Sequence, residues 1–176
     1  AVSNLLYGVG IDHYISITMD GVAVLNDLVG GVEVEVMDDF SSIDSTLVQG
    51  ETVILMGNHA LTYVRTRGGL EDSSNLRRME RQRQYLIALQ KKLTEKANSD
   101  AWFATNAILQ VSDYLTSDCT AEKLSKIADL LSKSDVSEIR TIDGEAKVGQ
   151  EYMEFYPDED ALQALVMNVF YEKVEK

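Results

Sequence analysis

Apolar and polar residues alternate strictly along residues 32–36, with three valines on one face and two glutamates on the other. This period of two is typical of a strand with one buried face. Residues 13–17 combine β-branched and aromatic side chains and predict a second strand. Between the two strands, apolar positions recur at helical spacing from Asp20, the expected N-cap, to Leu28, and a glycine pair at 30–31 predicts the end of that helix.

A longer helical pattern predicts the principal helix of the chain. It begins near residues 73–75, all of them types favoured at N-caps, and continues through strong helix formers to about Asn98. A shorter amphipathic pattern starts at Gly57 and ends at Arg65, just before a glycine pair. Basic side chains are therefore expected at the end of one helix and along the first turns of the next.

The remaining elements complete an α/β chain. Further helices are predicted at about 101–115, 120–133 and 158–171, and further strands at 136–142 and near 151–155. Strands and helices intermingle, so we expect an α/β fold with a mixed β-sheet flanked by helices. No repeat or composition change marks a boundary, which favours a single domain over residues 1–176.

Composition narrows the function classes. With 176 residues, 45% hydrophobic and 26% charged, the chain is typical of soluble globular proteins. A net charge of −13 argues against a nucleic-acid partner, because phosphate backbones repel an acidic surface. Cys119 is the single cysteine, which excludes an intrachain disulfide.

Arginine is concentrated in one short window. Residues 65–83 contain six of the seven arginines and only three acidic residues, a net charge of +3. The planar guanidinium group matches phosphate oxygens in a bidentate way, so this choice of residue favours an anion-binding site. Surface ion pairs with some of the 29 acidic residues are the alternative explanation.

The helical angles of the long helix favour an anion-binding site over surface ion pairs. At about 100° per residue, Arg78 and Gln82 continue the apolar stripe of Tyr85, Leu86, Leu89 and Leu93, while Arg81 points less directly inward. A buried guanidinium needs an acidic partner or an anionic ligand. The nearby amino end of the helix adds free N–H groups and a positive dipole end.

Other candidate residues carry weaker signals. Asp38 and Asp39 offer hard oxygen ligands for a divalent cation, but adjacent aspartates in a turn are usually exposed. His13 and His59 have no second histidine or cysteine at metal spacing, and we expect both to be structural. No metal ligand and no catalytic residue is assigned from the sequence.

Two motifs resemble the LytR-CpsA-Psr family. They are NHALTYVRTR at residues 58–67 and NLRRMERQRQ at residues 75–84, supported upstream by IDHY at 11–14, MDG at 19–21 and LVGGVEV at 28–34. By this resemblance, the residues expected to bind a pyrophosphate are Arg65, Arg67, Arg78, Arg81 and Gln82. Asn75 departs from the pattern, since many relatives carry an aspartate there.

The resemblance implies an enzyme of the cell envelope. Such a glycopolymer transferase, a phosphotransferase, moves a teichoic acid or capsular polysaccharide from a polyprenyl pyrophosphate carrier to peptidoglycan, on the outer face of the plasma membrane of a Gram-positive-type bacterium. It further implies a hydrophobic channel for the polyprenyl tail and a Mg²⁺ cofactor. The magnesium ligands and a membrane anchor are expected in an upstream part, outside these residues, so this segment alone is expected to bind the carrier but not to catalyse the transfer. A non-catalytic protein that binds polyprenyl phosphates, with the historical label of transcriptional attenuator, is the alternative.

Overall fold

Helices and strands alternate along the chain. The computed structural model describes residues 2–134 and 139–171. Their elements are α1 (Val2–Leu5), β1 (Ile15–Ile17), α2 (Met19–Leu28), β2 (Val32–Glu35), β3 (Thr52–Leu55), α3 (Gly57–Arg65), α4 (Asn75–Ser99), α5 (Phe103–Val111), β4 (Leu115–Ser117), α6 (Ala121–Lys133), β5 (Gly144–Val148), β6 (Met153–Pro157) and α7 (Glu159–Phe170). The strands pair antiparallel as β1 with β4, β2 with β3 and β5 with β6. The predicted α/β class is confirmed, with the strands distributed over small two-stranded sheets.

The chain divides into two compact units. One comprises residues 13–139, and the other comprises residues 1–12 and 140–176. In the second unit, which contains the β5–β6 hairpin and α7, Leu162 and Val166 are buried. The arginine window lies wholly within the first unit. The assignment of a single domain to residues 1–176 stays a prediction.

The β2–β3 hairpin carries the centre of the first unit. Val32 and Val34 are buried while the glutamates between and after them are exposed, as the alternation predicts. Val32 lies opposite Leu55 in the antiparallel register, and Val34 lies opposite Val53. α4 packs on β2, and α3 packs on α2 and α4. Together they complete a core whose buried members are Val29, Val32, Val34, Val36, Phe40, Leu47, Leu55, Ala60, Tyr63, Val64, Leu70, Tyr85 and Leu89.

The turn between α2 and β2 requires glycine. Gly31 has a φ of +87°, and a Cβ atom there would lie 2.5 Å from side-chain atoms of Ile54 and Met56. The predicted helix end at the glycine pair is therefore confirmed. The start differs by two residues, because Thr18 is the N-cap and its hydroxyl accepts the Gly21 N–H at 3.2 Å, whereas Asp20 lies in the first turn.

The long helix has the predicted extent. The Ser74 side chain caps α4 by accepting the Arg77 N–H at 3.1 Å. In the middle of the helix, the Tyr85 hydroxyl donates to buried Asn26 at 3.0 Å, and the Asn26 amide donates to the Leu55 carbonyl at 2.9 Å. α4 is therefore joined to α2 and β3 by a buried polar contact. Within the described residues, no helix combines the length and apolarity needed to cross a bilayer.

Two predictions were wrong in the second half of the chain. The helix predicted to 115 ends at Val111, and after one turn of 3₁₀ helix at Ser112–Tyr114 the chain forms β4. The strand predicted at 136–142 falls partly on 135–138, which lie outside the described residues. Residues 139–142 are not in a strand, and the strand begins at Gly144. Every residue of β5 is exposed, so no burial pattern marked its position.

Candidate functional site

α3 ends at the first of two exposed arginines. Its buried residues Ala60, Tyr63 and Val64 fix the helix against the core, and Arg65 is its last residue. Arg65 and Arg67 are both exposed. Within residues 2–134 and 139–171, neither side chain has a hydrogen-bond or carboxylate partner. Their donors are available to an anion from outside the chain.

Arg78 is only partly satisfied within the protein. It lies in the first turns of α4 and is half-buried. One terminal nitrogen donates to the Asn75 amide oxygen at 2.5 Å, whereas the buried Nε has no hydrogen-bond partner among the described residues. A buried guanidinium nitrogen without an acceptor costs free energy until a ligand supplies one. The predicted binding role of Arg78 therefore has a physical basis.

Arg81 is buried, contrary to the angular prediction that it points less directly inward. Its exposed fraction is 0%, and its guanidinium lies 5.5 Å from the centre of the Phe40 ring. Nη1 donates to the Asp38 carboxylate, Nη2 to the Thr66 carbonyl and Nε to the Tyr63 carbonyl at 3.0 Å. All three nitrogens thus have acceptors within the protein, which distinguishes Arg81 from Arg65, Arg67 and Arg78.

Asp38 is a buried acid shared by two arginines. It is 7% exposed and accepts from Arg81 and from Nε of Arg77, the latter at 2.6 Å. The hydrogen bond from Arg77 to Asp38 raises the pKa of Arg77 above its usual value. The expectation that both aspartates of this pair are exposed was wrong for Asp38 and correct for Asp39. Arg77 also donates to the Glu80 carboxylate at 2.9 Å, so two carboxylates balance the two guanidinium groups of this cluster.

The buried face of α4 is rotated from the predicted one. Arg81, Tyr85 and Leu89, spaced four residues apart, are its buried members. Gln82 is half-buried, and its amide donates to the Val64 carbonyl at 3.1 Å, while Leu86 is half exposed. The angular argument placed Arg78, Gln82 and Leu86 on the inner face together with Tyr85 and Leu89. Tyr85 and Leu89 are buried as predicted, whereas Arg81 takes the place expected for Arg78.

Tyr63 connects this cluster to the β2–β3 sheet. Its hydroxyl lies 2.5 Å from the Gln84 amide oxygen and 3.3 Å from the Glu35 carbonyl. Its ring stacks on Phe40 at a centroid distance of 5.6 Å. Burial raises the pKa of Tyr63 to about 12. The hydroxyl is therefore neutral at physiological pH and acts as a structural donor.

An apolar cavity of about 270 Å³ lies along the second half of α4. Gln90 is the polar exception among the described residues that line it; the others are Ile15, Ile17, Leu25, Leu93, Ala97, Phe103, Ala104, Ala107, Ile108, Val111, Leu115, Leu124, Ile127, Ala128 and Leu131. The Gln90 amide donates to the Leu131 carbonyl at 2.7 Å and so joins α4 to α6. A cavity of this size and lining suits a hydrocarbon chain.

Neither of two candidate groups of metal ligands suits a magnesium ion. Asp38 is committed to two arginines, so its oxygens are not free for a hard cation. Among the described residues, one group of metal-capable side chains lies close together, His13, Asp118 and Cys119, whose ligand atoms are all within 4.8 Å of one another. Nitrogen and sulfur donors do not suit Mg²⁺, and the Lys123 ammonium lies against the His13 ring. The sequence could not reveal this group, because 105 residues separate His13 from Asp118.

Comparison with known proteins decides the family. The model of the LytR_cpsA_psr family matches residues 1–169. The chain belongs to this family. A curated LytR_cpsA_psr relative is the polyisoprenyl-teichoic acid–peptidoglycan teichoic acid transferase TagU of Halalkalibacterium halodurans, 42% identical over 89 residues. That match covers 50% of the chain and 28% of the relative.

Solved structures share the fold. The Lin1025 protein of Listeria innocua is 27% identical with a TM-score of 0.69, over 94% of this chain and 71% of that one. TagV of B. subtilis, at 23% identity, has a TM-score of 0.70 over 98% of this chain and 69% of its own. The resemblance to the LytR-CpsA-Psr family is confirmed, while the binding roles of Arg65, Arg67, Arg78, Arg81 and Gln82 stay predictions.

Proposed function

We propose that the chain binds a polyprenyl pyrophosphate-linked glycopolymer and takes part in its transfer to peptidoglycan. The observation that carries the proposal is the buried Arg78 Nε without an acceptor, close in sequence to Arg65 and Arg67, which have no partner among the described residues. A pyrophosphate offers several anionic oxygens to such donors. The named activity of the TagU relative supports the same class of substrate.

The cavity supports a lipid tail on that substrate. Arg78 and Gln90 both lie on α4, and their separation of twelve positions corresponds to about 18 Å along the helix axis. A polyprenyl carrier has its anionic head at one end and hydrocarbon beyond it. The helix presents unsatisfied cationic donors in its first turns and an apolar cavity in its second half. The order of features on α4 matches the order of groups in the carrier.

The proposed reaction is a phosphoryl transfer. A hydroxyl of the peptidoglycan acceptor attacks the phosphorus that joins the glycan to the pyrophosphate. A new phosphorus–oxygen bond forms, the bond to the bridging oxygen breaks, polyprenyl phosphate leaves and a base takes the hydroxyl proton. The arginines orient the phosphates and stabilise the negative charge that develops on them.

The proposed location of the reaction is the one expected for the LytR-CpsA-Psr family. We propose that the protein acts on the outer face of the plasma membrane of a Gram-positive-type bacterium, where both substrates meet. Capsular polysaccharide is an alternative glycopolymer to teichoic acid. Magnesium chemistry is part of the family expectation, and no ligand for the ion is assigned among the described residues.

A binding experiment tests the proposal. Undecaprenyl pyrophosphate in detergent micelles is titrated into the chain by calorimetry, with undecaprenol as the uncharged control lipid. Arg78→Ala is expected to weaken binding about 10-fold or more, because a charge-assisted hydrogen bond is lost. Arg83→Ala, a matched change at an exposed position of the same helix, is expected to change it less than about twofold. Equal effects of the two variants, or equal affinity for both lipids, would contradict the proposal.

One observation favours binding without turnover as the second candidate. The buried acid beside the arginines, Asp38, accepts from two guanidinium groups, one on each carboxylate oxygen, so neither oxygen is placed against an acceptor hydroxyl. The chain on its own then binds the carrier and sequesters it. Release of polyprenyl phosphate from the bound substrate in the presence of peptidoglycan would decide for the transferase, and binding with no release would decide for the second candidate.

A further inference from the structure

The backbone around Arg65 and Arg67 is held by side chains of α4. α3 ends in an extended C-cap, Thr66, with φ −61° and ψ 136°. Arg81 donates to the carbonyls of Tyr63 and Thr66, and Gln82 donates to the carbonyl of Val64. Carbonyls at a helix end have no partner within the helix and need an outside donor. Here two consecutive residues of α4 supply those donors.

Arg81 is in turn fixed by its own surroundings. The Asp38 carboxylate accepts from Nη1, and the Phe40 ring lies under the guanidinium. Every nitrogen of the group is engaged inside the protein, so a phosphate could bind Arg81 only by displacing an acceptor. This geometry differs from that of a ligand-binding arginine and resembles a fixed bracket between α4 and α3.

We propose that Arg81, oriented by Asp38, is a positioning residue that sets the placement of the Arg65–Arg67 pair for the pyrophosphate. The inference rests on the proposed function and deepens it, because it separates the arginines that touch the anion from the one that aligns them. Only the fork of an arginine reaches a carboxylate and two carbonyls at once, since a lysine donates from a single nitrogen. Arg81→Lys therefore keeps the charge and removes the bracket.

A double-mutant cycle tests this role. Farnesyl pyrophosphate is titrated into the wild type, Arg81→Lys, the double variant Arg65→Ala/Arg67→Ala, and the triple variant, all at a temperature well below their unfolding midpoints. Arg81→Lys is expected to weaken binding about 10-fold in the wild type and less than about twofold in the double variant, since there is then no pair to align. Asp38→Asn is expected to act in the same direction, and Arg83→Lys is the matched control with no effect.

Each other outcome overturns the inference. An equal 10-fold loss in both backgrounds would make Arg81 a direct ligand. If folded Arg81→Lys binds farnesyl pyrophosphate as tightly as the wild type, Arg81 has a packing role alone. If the wild type binds farnesyl pyrophosphate no better than farnesol, the proposed function fails separately, and hydrogen exchange then tests the bracket. The amides of residues 66–69 are expected to exchange about 10-fold faster in Arg81→Lys than in Arg83→Lys, and equal rates would overturn the role of Arg81.

Discussion

The two halves of α4 lie in opposite environments, one charged and one apolar, although the helix is continuous. Its first half buries Arg81 against Asp38 and leaves a nitrogen of Arg78 without an acceptor. Its second half places Leu93 and Ala97 beside an apolar cavity. The first half packs through specific polar contacts, whereas the second half borders unfilled apolar space. A helix can therefore carry a charged site and a hydrocarbon site without a break, provided that the elements packed on it change along its length.

The difference shows how each half depends on its neighbours. The charged half is specified by single contacts from distant segments, so removing one partner leaves a buried charge with neither a counter-charge nor water around it. The cavity half is lined by many apolar residues, and volume-conserving exchanges among such residues usually cost little. We therefore expect substitutions in the first half to have large effects on stability and those in the second half to have small or even stabilising ones.

The largest effect is expected from Asp38→Ala. The change leaves the fully buried Arg81 without its carboxylate, which should lower the free energy of unfolding by about 3–5 kcal/mol. Urea unfolding followed by circular dichroism measures it. Asp39→Ala, at the exposed neighbour, should cost less than about 1 kcal/mol. Similar losses for both variants would show that the buried pairing does not specify the charged half.

A smaller effect is expected at alkaline pH from Tyr63. Its pKa is about 12 in the fold, because burial disfavours the tyrosinate, and about 10 in the unfolded chain. The unfolded state then releases a proton that the native state retains, so stability falls as the pH rises from about 10 and the loss reaches about 2 kcal/mol near pH 12. The measurement is the pH dependence of the urea midpoint. In Tyr63→Phe, stability should fall less steeply with pH. Identical slopes for the variant and the wild type would contradict the assignment of this loss to Tyr63.

The smallest effect is expected in the cavity, and with the opposite sign. Ala107→Leu adds carbons at a buried position that lines empty space, which should stabilise the ligand-free protein by about 1–2 kcal/mol. The same change should weaken binding of a polyprenyl lipid by occupying its place. Thermal melts and lipid titrations measure the two effects. A destabilised variant would mean that the cavity is too narrow for the added group.

Local patterns predicted much of the fold. The alternation of β2, the glycine end of α2 and the Ser74 start of α4 depend on neighbouring residues, which the sequence displays directly. The arginine window also located the candidate site, and the arrangement of Arg65 at the end of α3 follows from the helix period. These features need no knowledge of which segments meet.

Long-range contacts account for what the sequence did not reveal. The carboxylate partner of Arg81 is 43 residues away, so the sequence did not show that this guanidinium is buried in an ion pair. β4 was missed because its three residues are defined by pairing with β1 across about a hundred positions. Patterns within a window of one helix hold no information on either contact.

The short helix α3 is attached at both ends. Its first amide donates to Asp27 of α2 at 2.6 Å, and its last carbonyls accept from α4. Nine residues are too few for a stable helix in isolation, so α3 depends on its contacts with α2 and α4 for stability. The placement of the arginine pair therefore depends on both attachments, and a chain that loses them keeps the charges for an anion without the geometry to hold one.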